Sequence, residues 1–165
     1  VSVEVGQPGP RRSTVSLEMS DSSLGSYAPR EHPSREDDAR GRGSGPLVGL
    51  DLVEIARFSG VLARHPGVAR RCFTARERLE CTGRGDPTPH LAARFAAKEA
   101  TMKALGCGIG AVGFVEIEVV RSDRGAPALE LYGRAAERAE RLGAGPFSVS
   151  LTHTETTAAA VVISS

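Results

Sequence analysis

The stretch Arg94-Phe95-Ala96-Ala97-Lys98-Glu99-Ala100-Thr101-Met102-Lys103-Ala104-Leu105-Gly106 decides how the chain is read. Most of its residues are strong helix formers. Upstream, Thr88 suits the N-cap and Pro89 the first helical position, where a missing N–H is no loss. Gly106 suits the left-handed residue that follows a helix C-terminus. Leu91, Phe95, Met102 and Leu105 recur at helical spacing and form one apolar stripe. Ala92, Ala96, Glu99 and Lys103 form a neighbouring stripe, whose alanines leave room for something to approach.

The chain has 21 Lys+Arg, and only Lys98 and Lys103 are lysines. Both lie in this stretch, which points to places where a compact ammonium is wanted rather than a planar guanidinium. A solvated Glu99–Lys103 pair at i, i+4 accounts for the same spacing and contributes only a few tenths of a kcal/mol. The spacing alone does not choose between the two.

At 165 residues the chain has room for one domain and a tail. Residues 1–45 are rich in Ser, Gly and Pro, with charges of both signs and no apolar period, and read as a disordered N-terminal extension. The chain opens on Val1, as would a fragment or a non-standard start codon translated literally. Residues 46–165 form the expected domain. A net charge of +1 gives no general attraction to nucleic acid or to a membrane surface. No apolar run reaches the roughly 18 residues of a membrane span, and few aromatics are present for base stacking. Cys72, Cys81 and Cys107 lack CxxC spacing and read as buried or incidental thiols of a cytoplasmic protein.

Outward from the central helix, Leu47 to Ile55 reads as a strand interrupted by Asp51, with Glu54 on the opposite face. A carboxylate inside such a strand needs solvent, a partner or a cation; a strand-end cap is the plainer alternative. Arg57 to Ala63 reads as a short helix. Thr74-x-x-Glu77 is a capping box opening another, to about Cys81. Phe114 to Arg121 reads as an alternating strand, with Val115, Ile117 and Val119 on one side and Glu116 and Glu118 on the other. A turn at Asp123-Arg124-Gly125 and a strand from Ala128 to Tyr132 complete a hairpin. A helix from Arg134 to Leu142 follows, then strands Phe147 to Thr152 and Ala158 to Ile163 around a turn at His153 to Thr156. The fold class is α+β, an antiparallel sheet packed against helices.

Asp51 and Glu99 are two oxygen ligands of the kind that hold Mg²⁺ together with waters and substrate phosphates. Lys103, one turn from Glu99, offers a point charge to phosphate oxygens. His153, at a strand end, either meets a further phosphate or is a hydrogen-bonded turn histidine. The Gly-rich exit from Gly106 to Gly110 lets a backbone approach a phosphate, a weak signal alone. Together these residues suggest Mg²⁺-dependent transfer from a pyrophosphate-containing substrate.

Gly49-Leu50-Asp51-Leu52-Val53-Glu54-Ile55, Arg94-Phe95-Ala96-Ala97-Lys98-Glu99-Ala100 with Lys103, and Ser150-Leu151-Thr152-His153-Thr154 together resemble the holo-[acyl-carrier-protein] synthase family of 4′-phosphopantetheinyl transferases. The resemblance runs from about Leu47 to Ile163. It implies an α+β homotrimer with active sites between subunits, moving phosphopantetheine from coenzyme A to a serine of an apo acyl carrier protein. By the resemblance, Asp51 and Glu99 hold Mg²⁺, and these two with Lys103 are the catalytic residues. Arg94, His153 and Thr154 line the site of the nucleotide and its 3′-phosphate, and Gly106 and Gly108 pass close to the cofactor. Arg57 and Arg64 pair with the acidic helix of the carrier protein. Cys107, where the family often has Thr, and Thr156-Thr157, where an aromatic residue is common, depart from the pattern. The rival reading is a non-catalytic α+β module binding a nucleotide or a carrier protein; it does not need Asp51, Glu99 and Lys103 to converge.

Overall fold

In the computed structural model, which describes residues 45–83, 85–122 and 125–164, one helix is buried almost all round. This is α4, Thr88–Ala104. Before it come β1 (Leu47–Glu54), α1 (Ile55–Arg64), α2 (Gly67–Cys72) and α3 (Ala75–Thr82). After it come a 3₁₀ turn at Phe114–Glu116, β2 (Ile117–Arg121), β3 (Pro127–Leu131), α5 (Gly133–Arg141), β4 (Phe147–His153) and β5 (Thr157–Ser164). The strands make an antiparallel sheet in the order β1-β5-β4 and a separate β2-β3 hairpin. This is the expected α+β class. The expected extension, apart from Gly45, lies outside the described residues, as do Asp123 and Arg124 of the hairpin turn.

Both stripes of α4 are buried because each has its own partner. Ala96, Ala97, Ala100 and Ala104 pack on Ala160 and Val162 of β5. Met102 and Leu105 pack on Ile117, Ala135 and Ala139, and Leu91, Ala92 and Ala93 join Ile55, Phe58 and Phe73. What approaches the small residues is thus the sheet. Its small and apolar residues meet partners on several sides, and α4 is the common wall of three clusters.

Its ends differ slightly from expectation. The N-cap is Pro87, and the Asp86 carboxylate accepts the Thr88 N–H at 2.8 Å, so the helix starts one residue earlier. Pro89 still falls in the first turn, where no donor is missed. At the other end Gly106 has φ of 62°, with Gly106 N–H on the Lys103 carbonyl at 3.0 Å and Cys107 N–H on the Met102 carbonyl at 2.9 Å. That is the reversed pair of bonds by which a left-handed glycine closes a helix.

Lys98 has a structural role. It is fully buried beside the equally buried Glu77, Nζ to Oε2 2.8 Å. Its other two protons go to the carbonyls of Phe114, at 2.9 Å, and Ile117. All three ammonium donors are used, which explains a lysine here. Burial pulls its pKa below the ordinary value, and Glu77 opposes that pull. Glu77 meanwhile completes the expected capping box with Thr74 and accepts the Val119 N–H at 3.0 Å. The pair therefore ties α4, α3 and the start of β2 together.

Two expectations need correction. Phe114–Glu116 is a 3₁₀ turn, and Ile117, Glu118, Val119 and Val120 are all buried, so the alternation fails. The Glu118 side of β2 is covered by Thr74, whose hydroxyl donates to Glu118, and by the Tyr132 hydroxyl. The helix α2, which has little amphipathic period, was not expected. The three cysteines are buried thiols.

The tightest packing is at Gly49. A Cβ there would lie 1.8 Å from the Ala100 carbonyl oxygen, which is backbone and cannot swing away. Gly49→Ala should destabilise the protein by at least about 2–3 kcal/mol in urea unfolding. Gly67→Ala, where a Cβ meets nothing within 4 Å, should change stability by no more than about 1 kcal/mol. Equal effects would mean that α4 and β1 are not in close contact.

Candidate functional site

Alternation along β1 turns Gly49, Asp51 and Val53 toward α4 and Val48, Leu50, Leu52 and Glu54 outward. Asp51 is consequently 7% exposed, inside the sheet rather than at a strand end. Because α4 approaches so closely at Gly49, Lys103 reaches back across the gap. Its Nζ lies 2.7 Å from Asp51 Oδ1 and donates to the Leu50 carbonyl at 3.0 Å. Lys103 is therefore not engaged in a solvated helical pair; its partner is on the strand, fifty-two residues away in sequence.

Glu99, half-buried, completes the group. Burial first and the negative charge of Asp51 second push its carboxyl up to about 7, against the opposing charge of Lys103. Asp51 and Lys103 both act electrostatically on Glu99, so the cluster sets two carboxyl groups against one ammonium in a partly buried place. Its donors are hard oxygens. No group of three His, Cys, Asp or Glu side chains that could hold a metal occurs among the described residues, so a cation here would complete its shell with water and substrate oxygens. That donor set fits Mg²⁺.

Arg94 and His153 belong to a second cluster. Arg94, 9% exposed, is held by Glu80, Nη2 to Oε2 2.9 Å, and by the His90 carbonyl. It lines a cleft of about 200 Å³ with His90, Arg121, Thr152 and His153. The His153 and His90 rings meet edge-on at 5.3 Å. Asp51 and Leu151 flank Ala160, and His153 lies two residues further along β4. The backbones of Asp51 and His153 are therefore about 12 Å apart, two strand spacings by two residues. No residue of the Asp51 cluster lines the cleft.

The other expected site residues lie apart. Thr154 shapes the β4–β5 turn, its hydroxyl accepting the Thr157 N–H at 3.1 Å. Gly106 is exposed, its carbonyl held by Arg138 at 2.8 Å, and Gly108 follows it. Arg57 and Arg64 are exposed on α1, seven residues apart and so on one face. Glu80 and His90 were missed by the sequence reading. His90 stands four residues before Arg94, a readable helical spacing; Glu80, on α3, leaves no such trace.

The Glu99 carboxyl sets a pH dependence in the metal-free protein. Its folded value of about 7 exceeds an ordinary 4.5, so the folded chain holds that proton more tightly. The associated stability is fully present below about pH 4.5 and is lost as pH rises through 7. Urea unfolding with a chelator present should find Glu99→Gln close to the parent at pH 4.5. At pH 8 the variant should be more stable by about 1–3 kcal/mol, allowing for partial exposure. The same difference at both pH values would remove the crowded carboxylates from the account.

Comparison with known proteins follows the same residues. The model of the 4′-phosphopantetheinyl transferase superfamily matches residues 47–161. A holo-[acyl-carrier-protein] synthase of Moorella thermoacetica is 45% identical over 116 residues, 70% of this chain and 91% of that protein. One from Streptomyces avermitilis is 46% identical over 116 residues, 70% of this chain and 94% of that protein. Among solved structures, Helicobacter pylori holo-[acyl-carrier-protein] synthase in complex with coenzyme A aligns with a TM-score of 0.63 and 32% identity, covering 72% of this chain and 99% of that one. By sequence over this span and by fold, the chain belongs to the 4′-phosphopantetheinyl transferase superfamily.

Proposed function

We propose that this protein is a Mg²⁺-dependent holo-[acyl-carrier-protein] synthase. It transfers 4′-phosphopantetheine from coenzyme A to a serine of an apo acyl carrier protein. The observation that carries the reading is the meeting of Asp51, Glu99 and Lys103 from two elements on one gap, 2.7 Å for the Lys103–Asp51 pair. A module that only bound a nucleotide or a carrier protein would have no use for crowded carboxylates there.

The serine oxygen, giving up its proton to solvent, forms a bond to the β-phosphorus as the bond from that phosphorus to the bridging oxygen breaks, and adenosine 3′,5′-bisphosphate leaves with the bridging oxygen. Transfer of this kind depends mostly on positioning and charge neutralisation. Asp51 and Glu99 would hold Mg²⁺, which when bound neutralises pyrophosphate oxygens. Lys103 lies where it can exchange its contact with Asp51 for the phosphate as charge builds on the leaving group. Arg94, His153 and Thr154 hold the nucleotide and its 3′-phosphate, and Gly106 and Gly108 border the cofactor. Arg57 and Arg64 dock the acidic helix of the carrier, an electrostatic contact that salt weakens.

The assembly we propose is a trimer. The outward face of β1 presents Val48, Leu50 and Leu52, each more than half exposed, beside Ile163 of β5. Such a contiguous apolar face suits burial against another copy. Leu50→Asp should give monomers in light scattering and a large loss of activity; an active monomer at the same concentration would contradict the trimer.

The direct test is the mass of an apo carrier protein incubated with coenzyme A, Mg²⁺ and this protein, which should rise by one phosphopantetheine group. Lys103→Ala should slow that reaction by about a hundred- to a thousandfold, the usual loss when a charge-stabilising contact is removed. Lys103→Arg should recover little, since a planar fork does not replace a compact ammonium. Full turnover by Lys103→Ala would reduce the cluster to a structural ion pair.

A further inference from the structure

The cleft beside Arg94 holds more positive charge than Arg94 and His153 account for. Among the described residues Glu80 is the one carboxylate paired with Arg94, and it is shared, 2.9 Å from Arg94 and 3.4 Å from Arg76. The described residues that line the cleft include Arg94, Arg121, His90 and His153 and no Asp or Glu. Arg94 is nine-tenths buried, and its Nε–H has no hydrogen-bond partner. An acceptor rich in oxygens and charge fits the cleft.

We propose that His90 is a further cofactor-binding residue, which with His153 and Arg94 surrounds the 3′-phosphate of coenzyme A. The inference rests on the reading above that Arg94 and His153 hold that phosphate. His90 lies one helical turn before Arg94, on the same side of α4, so both face the cleft. Its ring stands edge-on to that of His153, centroids 5.3 Å apart, from a different element. The two imidazoles thus line one cleft from α4 and from β4. A phosphate monoester there can accept from imidazole and guanidinium donors, and its double negative charge suits a lining that holds Arg94 and Arg121 and no carboxylate among the described residues. An unphosphorylated ribose hydroxyl offers neither the charge nor the number of acceptors. His90 would therefore help set the preference for coenzyme A over its 3′-dephospho form.

The test is calorimetric binding of coenzyme A and of 3′-dephospho-coenzyme A to the full chain, in Mg²⁺, for the parent, His90→Phe and His153→Ala. His90→Phe keeps an aromatic ring against His153 and removes the donors. It should weaken coenzyme A about tenfold or more, the worth of one charge-assisted hydrogen bond, and leave 3′-dephospho-coenzyme A unchanged. His90→Gln, which keeps a donor, should retain part of the preference. His90→Ala gives the same reading should the phenylalanine not fold. An equal loss for both cofactors would make His90 a structural residue and overturn the inference. An unchanged preference in His90→Phe with a reduced one in His153→Ala would overturn it too, while leaving the reading of His153 intact. No change in either variant would remove the 3′-phosphate from this cleft altogether.

Discussion

The backbone of β1 lies so close to α4 that no side chain fits at Gly49, and the site follows from this contact. Ala100 supplies the carbonyl that Gly49 faces. Asp51 is two residues beyond Gly49 and so on the same face of the strand; Lys103 is three residues beyond Ala100 and so on nearly the same side of the helix. The approach that excludes a Cβ at Gly49 is what brings an ammonium within 2.7 Å of a carboxylate buried in a strand. The alanines along α4 extend that approach toward β5.

The two lysines of the chain show two uses of one helix. Lys98 has an acceptor for each of its protons and a fully buried carboxylate beside it, and it joins three elements. Removing one member of such a pair strands the other, which makes it a firm anchor. Lys103 is partly exposed and shares its position with two carboxylates, one of which burial and its neighbour push up to about 7. The first arrangement is complete without a ligand. The second leaves a half-buried carboxyl under the charge of a neighbouring carboxylate, and it sits on the helix that the anchor ties down. Preorganised charge of this kind accounts for much of catalysis where leaving-group charge builds.

Much of this could be read from the residues. The central helix, the capping box at Thr74 and the sheet strands each leave a local signature of spacing or residue type, whereas the meeting of Asp51 with α4 was only implied by the family resemblance. Others were hidden for physical reasons. The strand β2 is buried on both faces, and a carboxylate covered by Thr74 and Tyr132 looks outward in an alternation pattern. Lys98 and Lys103 share a residue type and a helix; only tertiary contacts reveal that one serves packing. Glu80 meets Arg94 from another helix, a relation with no period in the sequence. The N-cap shifted by one residue because Asp86 could reach the Thr88 N–H.

The central claim is that Asp51 and Glu99 hold a divalent cation against the cofactor's pyrophosphate. Titration of Mn²⁺ into the coenzyme A-bound protein, read by calorimetry, tests it most directly. The parent should show one saturable site per chain, weakened at least about tenfold in Asp51→Asn and in Glu99→Gln as ligand charge is lost. Equal Mn²⁺ affinity in all three proteins would contradict it.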